Sequence, residues 1–144
     1  MPPLLLICDP TYDYPRSFRE HLNRREIVTR HSRTGRECLQ AVQIHLPDFV
    51  LISSETDGGR LGEVVRGLHN MTNRTPRVFY ASFKPAWRFS EEQGLPAGQC
   101  VQRPFDEAAF AERLVSLWNE DGAAADSPAE GTQPAGPGLR NLPL

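Results

Sequence analysis

Four consecutive apolar residues, Phe49-Val50-Leu51-Ile52, stand between Pro47-Asp48 and the turn-forming stretch from Ser53 to Gly58. An uninterrupted apolar run bounded by turn formers describes a strand buried on both faces, so the chain must supply helices above and below it. The residue at the carboxyl end of such a strand, here Ser53, points into the crevice where sheets of this kind do their chemistry.

The rest of the chain supplies those layers in alternation. Leu4 to Cys8 is a second continuous apolar strand, and Pro15 to Arg25 follows as a short helix with Phe18 and Leu22 four residues apart. Ile27 to Arg30 makes a weaker strand. Thr34 and Glu37 have the spacing of a capping box, and Cys38, Ala41, Val42 and His45 recur on one helical face after them. Leu61, Val64, Val65 and Leu68 form the stripe of a third helix, and Thr75-Pro76 precedes a strand from Val78 to Ala81. A fourth helix falls within Pro85 to Gln93 and a short fifth strand spans Gln99 to Gln102. Asp106 caps a last helix whose inner face is Phe110, Leu114, Leu117 and Trp118. Strands alternating with helices imply an α/β, doubly wound, five-stranded parallel sheet with right-handed crossovers and helices on both faces.

Residues 1–120 make one globular domain by this reading. Residues 121–144 are expected to be a disordered tail, for their 24 residues hold four prolines, four glycines, five alanines and no aromatic. Its end, Gly138-Leu139-Arg140-Asn141-Leu142-Pro143-Leu144, has the look of a docking peptide on the strength of its leucines alone. No apolar run reaches membrane-spanning length, and the opening Met-Pro-Pro-Leu-Leu-Leu-Ile lacks a basic segment and a cleavage site, so a cytoplasmic location is expected. Cys8, Cys38 and Cys100 are odd in number and scattered, which reads as reduced core thiols. The four histidines show no metal-binding spacing. A net charge of −2 gives no general drive toward nucleic acid, and the seven arginines between residues 14 and 36 lack the interleaved aromatics of a base-stacking surface. Neither nucleic acid nor membrane is an expected partner.

Several spaced features together resemble the receiver domain of bacterial response regulators, over residues 3 to about 120. They are Leu-Leu-Leu-Ile-Cys-Asp at the first strand, Gly35-Arg36-Glu37-Cys38-Leu39 opening the second helix, Pro47 through Gly58, Thr75-Pro76, and Arg103-Pro104-Phe105 before the last helix. The resemblance implies the strand order 2-1-3-4-5 of CheY and flavodoxin, and a cis peptide bond before Pro104. It also assigns positions to the phosphorylation chemistry of the family, and this chain departs from each pattern. The phosphoacceptor aspartate is matched by Ser53. The acidic pair after the first strand reads Cys8-Asp9, which leaves one carboxylate where a magnesium ion normally meets a cluster of oxygen ligands. Ala81 stands for the hydroxyl of strand four, Cys100 for the switching aromatic of strand five, and Arg103 for the lysine, with a bulkier planar charge suited to an anion or to pairing with Asp9.

The resemblance therefore implies a degenerate receiver, a pseudo-receiver without enzymatic activity, metal or cofactor, that signals through protein partners independently of phosphorylation. Five of the twelve aromatics fall between Phe79 and Phe89. Phe83 and Trp87 are candidate anchors for a partner, or for a homodimer, on the face of helix four, strand five and helix five, the alternative being that they pack helix four on the sheet. Two other readings stay open: residual phosphotransfer onto Ser53, Glu55 or Asp57, with Asp13, Glu55 or Asp57 as substitute metal ligands, and a small ligand such as a flavin in the crevice. Cys8 beside Asp9 is a candidate reactive thiol if Arg103 lies close to it.

Overall fold

In the computed structural model, which describes residues 2–11, 14–71 and 75–126 (the last four by their backbone), strands and helices alternate five times. The elements are β1 (Leu4–Cys8), α1 (Arg16–Arg24), β2 (Val28–Ser32), α2 (Gly35–His45), β3 (Phe49–Ser53), α3 (Gly62–His69), β4 (Arg77–Ser82), α4 (Ala86–Gln93), β5 (Cys100–Gln102) and α5 (Glu107–Asp126), with 3₁₀ turns at Thr56–Gly59 and Ala97–Gln99. All strand pairings are parallel and the order is β2-β1-β3-β4-β5.

Period-two alternation along the strands divides the core into two layers. Leu5, Ile7, Phe49, Leu51 and Phe79 pack under α1 and α5 with Phe18, Leu22, Phe110 and Leu114. Leu6, Cys8, Val50, Ile52 and Tyr80 face the other way, against Cys38, Val42, Val64, Leu68 and Phe89 of α2, α3 and α4. Every residue of β3 is buried, as its apolar run requires. Asp48 anchors the amino end of this strand. Its carboxylate accepts from Leu4 N at 2.8 Å, its N–H donates to Leu4 O at 2.9 Å, and its carbonyl accepts from Arg77 N at 3.0 Å.

The helix ends follow local chemistry. Thr34 Oγ1 accepts from Glu37 N at 3.1 Å, while Glu37 Oε1 accepts from Arg33 N at 2.8 Å, one residue before the reciprocal partner of a standard capping box. Asp106 Oδ1 accepts from Ala109 N at 2.9 Å and starts α5. Gly94 ends α4 with φ of 67°, the left-handed conformation that a side chain would strain.

Three expectations need correction. Strand β2 begins at Val28 rather than Ile27, because Ile27 is buried with the α1 layer and the ladder starts where Val28 N donates to Pro3 O at 2.9 Å. His45 is exposed; the buried stripe of α2 is Cys38 and Val42. Helix α5 continues to Asp126, past the boundary expected at residue 120, since Ala123-Ala124-Ala125 is a strong helix-forming run that carries it over Gly122. The remainder of the expected tail, residues 127–144, lies outside the described residues, as do Tyr12, Asp13 and Thr72–Arg74. Among the described residues no helix is long and apolar enough to cross a membrane.

Candidate functional site

The carboxyl ends of β1, β3, β4 and β5 open on one crevice, and an ion pair lies across it. Asp9 follows β1 and is 1% exposed. Its Oδ1 accepts from Thr11 N at 2.9 Å and from Thr11 Oγ1 at 2.8 Å, an Asx turn that closes the start of the β1–α1 loop. Its Oδ2 makes no hydrogen bond among the described residues and faces Arg103 Nη1 at 3.6 Å, a Coulombic contact longer than a hydrogen bond. Arg103 is placed by its own N–H, which donates to Ser82 O at 2.7 Å just past β5, and by the Arg103–Pro104 peptide, which is cis as the Arg-Pro-Phe resemblance implies.

The guanidinium of Arg103 lies between two aromatic rings, its central carbon 4.6 Å from the Tyr14 centroid and 4.7 Å from that of Phe83. With the side chain buried on Asp9, each ring attracts the cation through its negative face, an effect worth up to about 2 kcal/mol when desolvated. Tyr14 is held from below by Phe18 and Phe105, with centroids 5.4 and 6.4 Å away. Burial pushes its phenol well above the ordinary value, so it stays protonated at neutral pH.

The other positions singled out in the sequence are occupied as follows. Ser53 is fully buried at the end of β3, and its Oγ accepts from Glu55 N at 3.2 Å. Ala81 pairs with it in register and has only a methyl group to present. Ser82 faces the opposite layer, where its Oγ accepts from Lys84 N at 3.0 Å. Cys100 is buried under α4, donates to Pro96 O at 3.6 Å, and has its thiol pKa raised by burial. Asp57 serves the neighbouring helix: both carboxylate oxygens accept from Gly35 N, at 3.1 and 3.2 Å, at the amino end of α2. Gly35 is needed for this approach, since a Cβ there would collide with Val64 Cγ2 and Asp57 Oδ2. Glu55 is exposed.

Among the described residues, which leave out Asp13, the crevice thus offers a divalent cation one carboxylate, already turned to a guanidinium and to Thr11, beside a hydroxyl and a methyl. This donor set does not fit a magnesium ion, which asks for several oxygen ligands in near-octahedral array. Among the described residues no group of three His, Cys, Asp or Glu side chains is placed to hold a metal.

Strand alternation corrects one expectation outright. Cys8 and Asp9 are neighbours in sequence but face opposite layers, so Cys8 lies under α2, away from Arg103. Its thiol donates to Thr34 O at 3.5 Å and meets Thr56 Oγ1 at 3.8 Å. Its pKa is lowered, first by a hydrogen bond from the Cys38 thiol and against the effect of burial; Arg103 has no part in it. The three cysteines are buried and unpaired.

Phe83 and Trp87 are 58% and 64% exposed, and it is Phe89 that packs α4 on the sheet. The alternative in which these two rings seat the helix is therefore set aside. Lys84 and Arg88 both pair with Glu92 beside them. Tyr14 and Thr11 are neighbours of the Asp9–Arg103 pair that the sequence reading missed. The Asp-x-Thr spacing of an Asx turn signals Thr11, whereas nothing local marks Tyr14, whose partner lies far along the chain.

No protein-family model matches the chain, and no curated protein matches it. Solved structures do. The fold is similar to that of the receiver domain of the Francisella response regulator 1452, with a TM-score of 0.67 and 20% identity, covering 83% of this chain and 98% of that one. It is similar to the chemotaxis response regulator CheY4 of Vibrio cholerae, with a TM-score of 0.66 and 15% identity, covering 81% of this chain and 99% of that one. A CheY-like receiver domain from Methylobacillus flagellatus aligns with a TM-score of 0.65 and 20% identity, covering 81% of this chain and 99% of that one. At these identities the likeness is one of fold.

Proposed function

We propose that the chain is a pseudo-receiver, a receiver-like signalling module that works by protein–protein contact, independently of phosphorylation and without magnesium or enzymatic activity. The observation that supports this reading is the buried Asp9–Arg103 pair: the carboxylate of Asp9 is neutralised by a cation belonging to the chain itself and sandwiched between Tyr14 and Phe83. A phosphoryl group delivered there would meet no carboxylate nucleophile at Ser53, and a hydroxyl attacks phosphorus only with a base to take its proton.

Output falls to the surface of α4, β5 and α5. Trp87 and Phe83 offer rigid apolar area of the kind that anchors an interface, to a regulatory protein or to a second copy. Phe83 also touches Arg103, which connects this exposed ring to the crevice pair.

Acetyl phosphate with magnesium, followed by intact mass measurement, tests the chemical half. An unchanged mass is expected; addition of a phosphoryl group mapped to Ser53, Glu55 or Asp57 overturns the reading. For the interaction half, recovery of partners by wild type and by Trp87→Ala is compared, and equal recovery of the same protein removes the aromatic face from the proposal.

A further inference from the structure

A groove of about 820 Å³ opens at the opposite end of the molecule from the crevice, between the α1–β2 turn, the first residues of the chain and α5. Its apolar lining is Pro2, Pro3, Ile27, Val28, Val115 and Trp118, and two charged residues line it as well, Arg25, which pairs with Glu112, and Glu26. Val28 is 47% exposed on the edge strand. Prolines have no N–H to offer, so this wall suits apolar side chains rather than an added strand.

We infer that this groove is the docking site of the chain's own segment Leu139-Arg140-Asn141-Leu142. Helix α5 forms one wall, and the chain continues from its end at Asp126, two turns past Trp118 or about 12 Å along the axis. The 12 residues 127–138 reach up to about 40 Å, several times the return distance. Leu139 and Leu142 supply apolar side chains to meet the prolines, Val28 and Trp118, and Arg140 between them complements Glu26, the neighbouring Arg25 being paired with Glu112. The groove's 11 lining residues are about half of what one side of a stable dimer uses, which favours a short segment over a second copy. Tethering through a linker of this length supplies an effective concentration of about 1 mM, so a segment of even millimolar affinity is seated about half the time. This inference is independent of the pseudo-receiver reading.

The test uses the full chain carrying Trp87→Phe, in which Trp118 is the one fluorophore of its kind. Adding Leu139→Ser and Leu142→Ser is expected to raise acrylamide quenching of Trp118 about twofold, the consequence of losing a contact formed about half the time. A synthetic peptide of residues 136–144 added to that variant restores protection, and a peptide with both leucines changed to serine does not. Charge exchange is the second arm: Glu26→Arg weakens protection and Arg140→Glu in the same chain recovers it. Equal quenching with and without the leucines overturns the inference, because neither serine alters a residue that lines the groove. Protection that vanishes on dilution, with dimer seen by sedimentation, also overturns it and assigns the groove to a second copy.

Discussion

Arg103→Ala leaves Asp9, at 1% exposure, with a buried charge that only Thr11 still meets. The expected loss is about 3–5 kcal/mol, read from urea unfolding. Asp9→Asn combined with Arg103→Met should recover most of it, because the amide still accepts from Thr11 and the thioether fills the space between Tyr14 and Phe83. Failure of that pair to recover stability would mean that the guanidinium's contacts with the rings, rather than charge compensation, hold the crevice closed. Asp57 carries the same lesson about residue roles. Its carboxylate is one of the few near the crevice in sequence terms, yet it accepts from Gly35 N and seats α2, a use visible only when residues 22 apart meet.

Among the elements, α2 depends on both of its amino-terminal acceptors. Thr34→Ala removes the oxygen that accepts from Glu37 N, and a loss of about 1 kcal/mol is expected by thermal or urea melting, the usual cost of an N-cap. The edge strand β2 contributes the pH dependence. His31 has its pKa lowered, first by burial and then by the nearby positive charge of Arg19. The folded chain therefore takes up its proton less readily than the unfolded chain. That contribution is whole above about pH 6.5, the free imidazole value, and is lost as pH falls through the lower folded value. Unfolding free energy should thus decline on the acid side of pH 6.5 in wild type, and His31→Gln should flatten that slope; identical profiles would remove His31 as the cause.

For the whole molecule, fold and partner surface are separable. Trp87 is 64% exposed, so Trp87→Ala should change stability by no more than about 0.5 kcal/mol, measured by urea unfolding, while removing the proposed anchor. A larger loss would make the ring part of the α4 packing after all. The division between what sequence reveals and what only the folded chain decides follows the range of the forces. Apolar runs in β1 and β3, helical stripes in α1, α3 and α5, and the caps Thr34 and Asp106 are local patterns, and each element formed where its pattern lay. Their alternation was enough for a parallel sheet, while its strand order came from the receiver resemblance. Alternation also held the reason why Cys8 and Asp9 part company, since adjacent strand residues must face opposite layers. The sandwich of Arg103 by Tyr14 and Phe83 on Asp9 was beyond any such pattern. It joins four residues from three separate strand ends, brought within contact by the packing of the sheet, and a buried charge takes whatever partner that packing delivers.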